Sequence, residues 1–237
     1  MRKVAVIADV HGNAPAFRAV LDEIERENVD LIVSCGDLTW GPLPEETYEL
    51  ARSLNARFVR GNADRAVLER RSETDRERWM QEHHDNELRD FLATFEGTVA
   101  IEVEGLGPVR LAHGSPRSDE ECVTPETPEE RVREFSAGVD ERVIVTAHVH
   151  IQFDREVAGV RSVNAGSVGL PYEGCQGAFW ALLGPDVEHR RTPYEVDVAA
   201  AMILDSGMTN ADEFAGIITA PPRREETART FEERGVS

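Results

Sequence analysis

Lysine is almost missing from this chain: Lys3 is the only one, so nearly all of the positive charge is arginine. Cysteine is also scarce. Three residues at 35, 122 and 175, with no paired spacing, exclude a disulfide framework and a CxxC metal site. Cys35 ends an apolar run and reads as a small buried residue. No apolar stretch approaches the length of a membrane span, and Met1 leads into an alternating apolar strand rather than a signal peptide. The expectation is a cytoplasmic protein that does not touch a membrane.

What is abundant is acid. With 45 carboxylates against 26 basic side chains, the formal charge is −19, which repels nucleic acid duplexes and anionic membranes. Most of these acids read as a solvated surface, because metal binding can use only a few. At 237 residues and 41% hydrophobic, the chain suits one large domain, taken here as 1–220. The remainder, 221–237, is polar without apolar periodicity, hence disordered or a loose helix. There is no internal repeat. A homo-oligomer is compatible with all of this.

Apolar, β-branched runs at 3–8, 29–34 and 56–60 read as strands, with helical spacing at 14–27 and about 44–54 between them. This β-α-β-α-β order is that of a parallel sheet with right-handed crossovers. Residues 64–96 are charged and helical, a helical insertion beside the ends of the strands. Further strands are expected near 98–104, 108–112 and 142–146, a helix near 128–138, and strand pairs within 153–164 and 177–192. Two strand-rich halves, each with helices, predict an α/β fold of two packed mixed β-sheets flanked by helices.

The polar residues just past the strands carry the chemistry. Asp9 and His11 follow the first, Asp37 the second and Asn62 the third; His113 closes 108–112, and His148 and His150 follow 142–146. Ligand sites in open α/β sheets lie beyond the carboxyl ends of the strands. A set of carboxylate, imidazole and amide groups without thiolate suits Mn, Fe, Zn or Ni, with Mn favoured, rather than a structural zinc.

The motifs DVHGN (9–13), GDL (36–38), GNAD (61–64), HGSP (113–116) and AHVH (147–150), in this order, resemble those of calcineurin-like metallophosphoesterases. The segment VNAGSVGLP (163–171) resembles the small bacterial and archaeal phosphodiesterase branch. The resemblance reaches to about residue 195. It implies a four-layer αββα sandwich and two divalent metal ions. Asp9, His11 and His150 would hold one ion, Asn62, His113 and His148 the other, and Asp37 would bridge them and hold a bridging hydroxide as the nucleophile.

The sequence departs from the family pattern in three places, two of them linked. The histidine that often follows the GN pair, placed to protonate the leaving oxygen, is Ala63, and the aspartate that usually supports it is Trp40. A glycine before the last histidine pair is Ala147. Loss of a general acid costs typically ~10²–10⁴-fold when the leaving group needs a proton, and much less otherwise. The expectation is therefore a phosphodiesterase or nucleotide pyrophosphohydrolase acting on a small-molecule phosphate ester or anhydride. The alternatives are a phosphomonoesterase or protein phosphatase, and a binding scaffold of the same fold with weak catalysis, as in a retromer sorting subunit. The complete set of seven ligand residues argues against the scaffold.

Asp64, Asn13, Asn164, Ser167 and Arg65 are expected to support the ligands or meet substrate, and Arg60 to meet substrate phosphate. Ser167 is not a hydrolase nucleophile, because Ala165 breaks the GxSxG pattern. His83 and His84, in a run dense with acids, read as exposed, and His189 as structural. Trp40 and Trp79 read as core residues.

Overall fold

The computed structural model describes residues 1–234. It opens with the alternation expected from the sequence: β1 (Val4–Ile7), α1 (Ala14–Glu27), β2 (Leu31–Ser34), α2 (Pro44–Ala51) and β3 (Ala56–Phe58). The short apolar strands pair in parallel, Ile7 opposite Ser34 and Ser34 opposite Phe58, so their polar extensions emerge together. The Asn13 side chain caps α1 by accepting the Ala16 N–H at 3.2 Å, and Phe17, Val20 and Ile24 form its buried face.

Three short helices follow, α3 (Asn62–Leu68), α4 (Asp75–Glu82) and α5 (Asn86–Ala93). The second half follows as β4 (Val99–Val103), β5 (Gly107–Leu111), α6 (Glu129–Phe135), β6 (Val143–Thr146), β7 (Phe153–Val157) and β8 (Val160–Asn164). β9 (Ala178–Leu183) and β10 (Val187–Thr192) return to the first sheet, and α7 (Val196–Asp205), α8 (Ala211–Thr219) and α9 (Arg224–Arg234) end the described chain.

The strand orders are β10-β9-β1-β2-β3 and β4-β5-β6-β8-β7, each mixed. One side chain in two along the strands fills the space between the sheets: Val4, Val6, Val33 and Leu183 from one meet Val109, Leu111, Val145 and Val163 from the other. The alternate residues face outward. Ala5, Ile7 and Trp180 pack on α1, and Ile144 packs on Val132 and Phe135 of α6. This is the layered α/β arrangement expected. The strands β5, β6 and β8 run parallel, so their carboxyl ends lie together, as do those of β1, β2 and β3.

Two segments differ from or sharpen the expectation. Within the polar stretch that begins at 221, Arg224–Arg234 form α9, while 235–237 lie outside the described residues; α9 is anchored, with Ala228 buried and Glu232 accepting from Thr124 Oγ1 at 2.6 Å and Arg131 Nη1 at 3.1 Å. His84 is buried rather than exposed. Helix α4 ends just before it, turning the ring inward to Thr39 Oγ1 at 3.0 Å, while its Nδ1 donates to Met80 O at 2.6 Å. No helix among the described residues is long and apolar enough to cross a membrane.

Candidate metal centre

The loops after the strands hold the site in an uncommon backbone conformation. Asp9, His11, Asp37, His148 and His150 all have left-handed φ, between 46° and 68°. Asp and His tolerate this region better than most side chains, yet each such residue costs on the order of 1–3 kcal/mol and clusters at functional sites. The loops hold one another in place. Asp9 N donates to Gly36 O at 3.0 Å and His11 N to Asp37 O at 2.9 Å. Two glycines permit the closest approach: a Cβ on Gly36 would lie 2.6 Å from Gly61 N, and one on Gly61 would lie 2.1 Å from Asp37 Oδ1.

Asp9, His11 and His150 converge as one buried group of potential ligands. His11 Nδ1 donates to Trp40 O at 3.0 Å and His150 Nδ1 to Leu170 O at 2.7 Å. A carbonyl can only accept, so both rings, when neutral, keep their Nε2 lone pairs free. Those Nε2 atoms stand 3.3 Å apart, with Asp9 Oδ1 at 3.4 Å from that of His150. Asp9 Oδ2 accepts the His148 N–H at 3.0 Å, while Oδ1 is buried and accepts no hydrogen bond among the described residues. An unsatisfied carboxylate oxygen facing two imidazole lone pairs is a donor set that fits a divalent cation.

Asp37, His113 and His148 form a second such group. His113 Nδ1 donates to Cys35 O at 2.7 Å, and its Nε2 lies 2.9 Å from Asn62 Oδ1, so Asn62 belongs to this group. Asp37 Oδ2 lies 3.5 Å from His113 Nε2 and 3.6 Å from His11 Nε2, between the two groups. All seven residues expected from the sequence are thus brought together.

The charges depend on one another. Burial opposes the charge on Asp37, but His113 and His11 outweigh it and hold the carboxyl below the usual range. Burial likewise opposes a charge on His113, and the Asp37 carboxylate overrides it, raising the imidazole to about 10. His148 goes the other way, down to about 4, through burial and then its neighbour His113.

The supporting residues divide by what they touch. Asp64 is buried and accepts from the N–H groups of Asp37 and Gly61, both at 2.9 Å, and of Leu38 at 3.1 Å, fixing the loop that carries Asp37. Ser167 Oγ donates to Asp9 O and accepts from Leu170 N, both at 2.8 Å; Asn164 Nδ2 donates to Ala147 O at 2.7 Å. Asn13, besides capping α1, donates to Gly169 O at 2.9 Å. Arg65 is already engaged, with Asp119 at 2.7 Å and Glu120 at 2.6 Å, so its charge is not free for a ligand.

At the two linked positions where the sequence departs from the family pattern, neither side chain is acidic. Ala63 contributes only its N–H, to Asp37 Oδ1 at 2.9 Å, and Trp40 only its carbonyl, to His11. His84 has both ring nitrogens engaged, His83 stacks on Trp79, and His189 Nε2 donates to Asn164 O at 2.9 Å. Sequence reasoning missed an aromatic rim: Tyr172 stacks on His150 at 4.7 Å, with Phe214 at 6.4 Å from His11 and Phe231 at 6.3 Å from His148. The only signal was a lone aromatic in each of three distant segments.

Two packed mixed sheets with paired carboxylate–imidazole groups at their strand ends define a metal-dependent phosphoester hydrolase. The chain belongs to the calcineurin-like phosphoesterase superfamily, whose domain profile matches residues 2–183. It is similar to an uncharacterized protein of Methanocaldococcus jannaschii, 27% identical over 229 residues that cover 85% of this chain and 91% of the relative. Among solved structures it is similar to a hypothetical protein of Pyrococcus horikoshii (TM-score 0.79, 21% identity, 94% and 100% of the two chains). It is also similar to a metallophosphoesterase of Sphaerobacter thermophilus (TM-score 0.74, 24% identity, 92% and 98%).

Proposed function

We propose that the protein hydrolyses small-molecule phosphodiesters or phosphoanhydrides. Asp9, His11 and His150 hold one divalent ion, Asn62, His113 and His148 the other, and Asp37 is shared. The observation that carries this is the position of Asp37 Oδ2, 3.5 Å and 3.6 Å from the Nε2 atoms of His113 and His11. Bound there, two such ions supply Lewis acidity toward phosphoryl oxygen and lower the pKa of a coordinated water to near neutral. Mn suits this mixed oxygen and nitrogen set.

The chain's own residues narrow the substrate. Asp9 and Asp37 carry the negative charge that offsets the ions, and Asp64 and Ser167 fix the loops that present them. Neither Ala63 nor Trp40 offers a side-chain proton acid, so the leaving group departs without that help. Nucleotide phosphates and phenolates do so readily; simple alkoxides do not. His11, His148 and His150 lie against the rim of Phe214, Phe231 and Tyr172, which favours a small substrate over a phosphorylated protein surface.

The test is turnover by the Mn²⁺-loaded protein of a bis-aryl phosphate beside glycerol phosphate. The diester is expected to turn over faster by about 10²-fold or more; equal rates would rule this substrate class out.

A further inference from the structure

Beside His113 the surface opens into a cavity of about 530 Å³, lined by Arg60, Arg65, Ser115, Arg117 and Asp119. Three arginines around one opening are unusual in a chain of net charge −19. Two of them are neutralised. Arg65 pairs with Asp119, Glu120 and Glu69, and Arg117 with Glu121 at 2.6 Å and Glu134 at 3.5 Å. Arg60 is different: it makes no side-chain hydrogen bond or ion pair among the described residues, although it is half-buried. Glu96, whose carbonyl accepts the Arg60 N–H at 2.7 Å, spends its carboxylate on Arg57 at 2.9 Å. A half-buried guanidinium without a carboxylate is a poor structural element and a good anion receptor, since its fork matches phosphate oxygens.

We infer that this cavity takes a second phosphate of the substrate, next to the scissile one, and that Arg60 binds it. The inference rests on the phosphoesterase reading and deepens it, because it selects diphosphates over simple diesters. Arg60 stands next to Gly61-Asn62, and the cavity wall includes His113, so an anion held by Arg60 sits on the Asn62–His113 side of the centre. The aromatic rim lies at the other histidines, His11, His148 and His150. A substrate with an anionic end and an aromatic or apolar end has a place for each.

The test compares wild type, Arg60→Ala and Arg60→Lys, all Mn²⁺-loaded. The kcat/KM for a dinucleoside diphosphate is divided by that for a bis-aryl phosphate, which has no second phosphate. Arg60→Ala is expected to lower this ratio by about 10- to 100-fold, mainly through KM, as for loss of one charge-assisted hydrogen bond, and Arg60→Lys to restore part of it. Calorimetry with inorganic pyrophosphate on chelator-treated protein gives a readout independent of turnover. Wild type is expected to bind it more tightly than inorganic phosphate, and Arg60→Ala to lose that preference. An unchanged ratio together with unchanged pyrophosphate binding overturns the inference, while the phosphoesterase reading stands. Wild type inactive on the bis-aryl phosphate overturns the phosphoesterase reading instead, with the calorimetry still deciding whether Arg60 receives an anion.

Discussion

His11 Nε2 and His150 Nε2 stand 3.3 Å apart, each ring pinned from behind by a carbonyl at its Nδ1. Two neutral imidazoles with facing lone pairs repel unless a cation lies between them. Removing either ring should therefore matter less to the fold than to metal retention. His150→Ala is expected to retain about one equivalent of metal instead of two, measured by elemental analysis after gel filtration, with circular dichroism unchanged.

Gly61 tests the fit of the loops. An added Cβ would lie 2.1 Å from Asp37 Oδ1, an atom that also accepts the Ala63 N–H. The backbone cannot yield without moving the shared carboxylate. Gly61→Ala is expected to lower kcat/KM on a bis-aryl phosphate by about 10²-fold, as for a misplacement of about 1 Å. Activity within twofold of wild type would show that the position of Asp37 is not critical to turnover.

Asp64 spends its carboxylate on three N–H groups of the loops that carry Asp37 and Asn62 rather than on the ligand atoms themselves. Asp64→Asn replaces one acceptor by a donor facing those N–H groups. Metal affinity is expected to fall about 10- to 100-fold, as for other outer-shell partners of ligands. Competition with a fluorescent chelator reads this directly.

His84 gives the fold a pH dependence separate from the centre. Burial pushes it down to about 4, from an ordinary value near 6.5. Since the unfolded chain takes up this proton first, stability contributed by neutral His84 is complete above pH 6.5 and is lost as pH falls toward 4. The loss across this window is on the order of 3 kcal/mol. Urea denaturation of wild type and His84→Gln across this window should show a shallower slope for the variant.

The C-terminal helix contributes to both fold and rim. Ala228 is buried, Glu232 ties α9 to Thr124 and Arg131, and Phe231 lies 6.2 Å from Tyr172. Truncation after residue 220 is expected to lower stability by about 2–4 kcal/mol, in line with losing a buried contact and a hydrogen-bonded network. The metal content should remain.

The sequence made the strands and the seven polar residues legible for one reason: each ligand stands a few positions past a short β-branched run, and parallel strands deliver such positions to one edge. The left-handed backbone of Asp9, His11, Asp37, His148 and His150 had no such signal beyond the residue types themselves. α7 escaped notice because its apolar residues wrap around the helix, with Val198, Met202 and Leu204 exposed beside buried Ala199 and Ile203, so no single face stands out. The acidic neighbours of His84 give its segment a solvated character in the sequence, whereas the end of α4 turns that ring inward to Thr39. The rim of Phe214, Tyr172 and Phe231 depends on contacts between segments far apart in the chain, which residue spacing does not encode.

The measurement that bears most directly on the proposed two-metal centre is the metal content of protein purified without chelator, taken beside Asp37→Ala. About two divalent ions per chain are expected, and for the variant a loss of metal together with activity on a bis-aryl phosphate. Protein that carries no stoichiometric metal, with an Asp37→Ala variant indistinguishable from wild type, would contradict a two-metal centre.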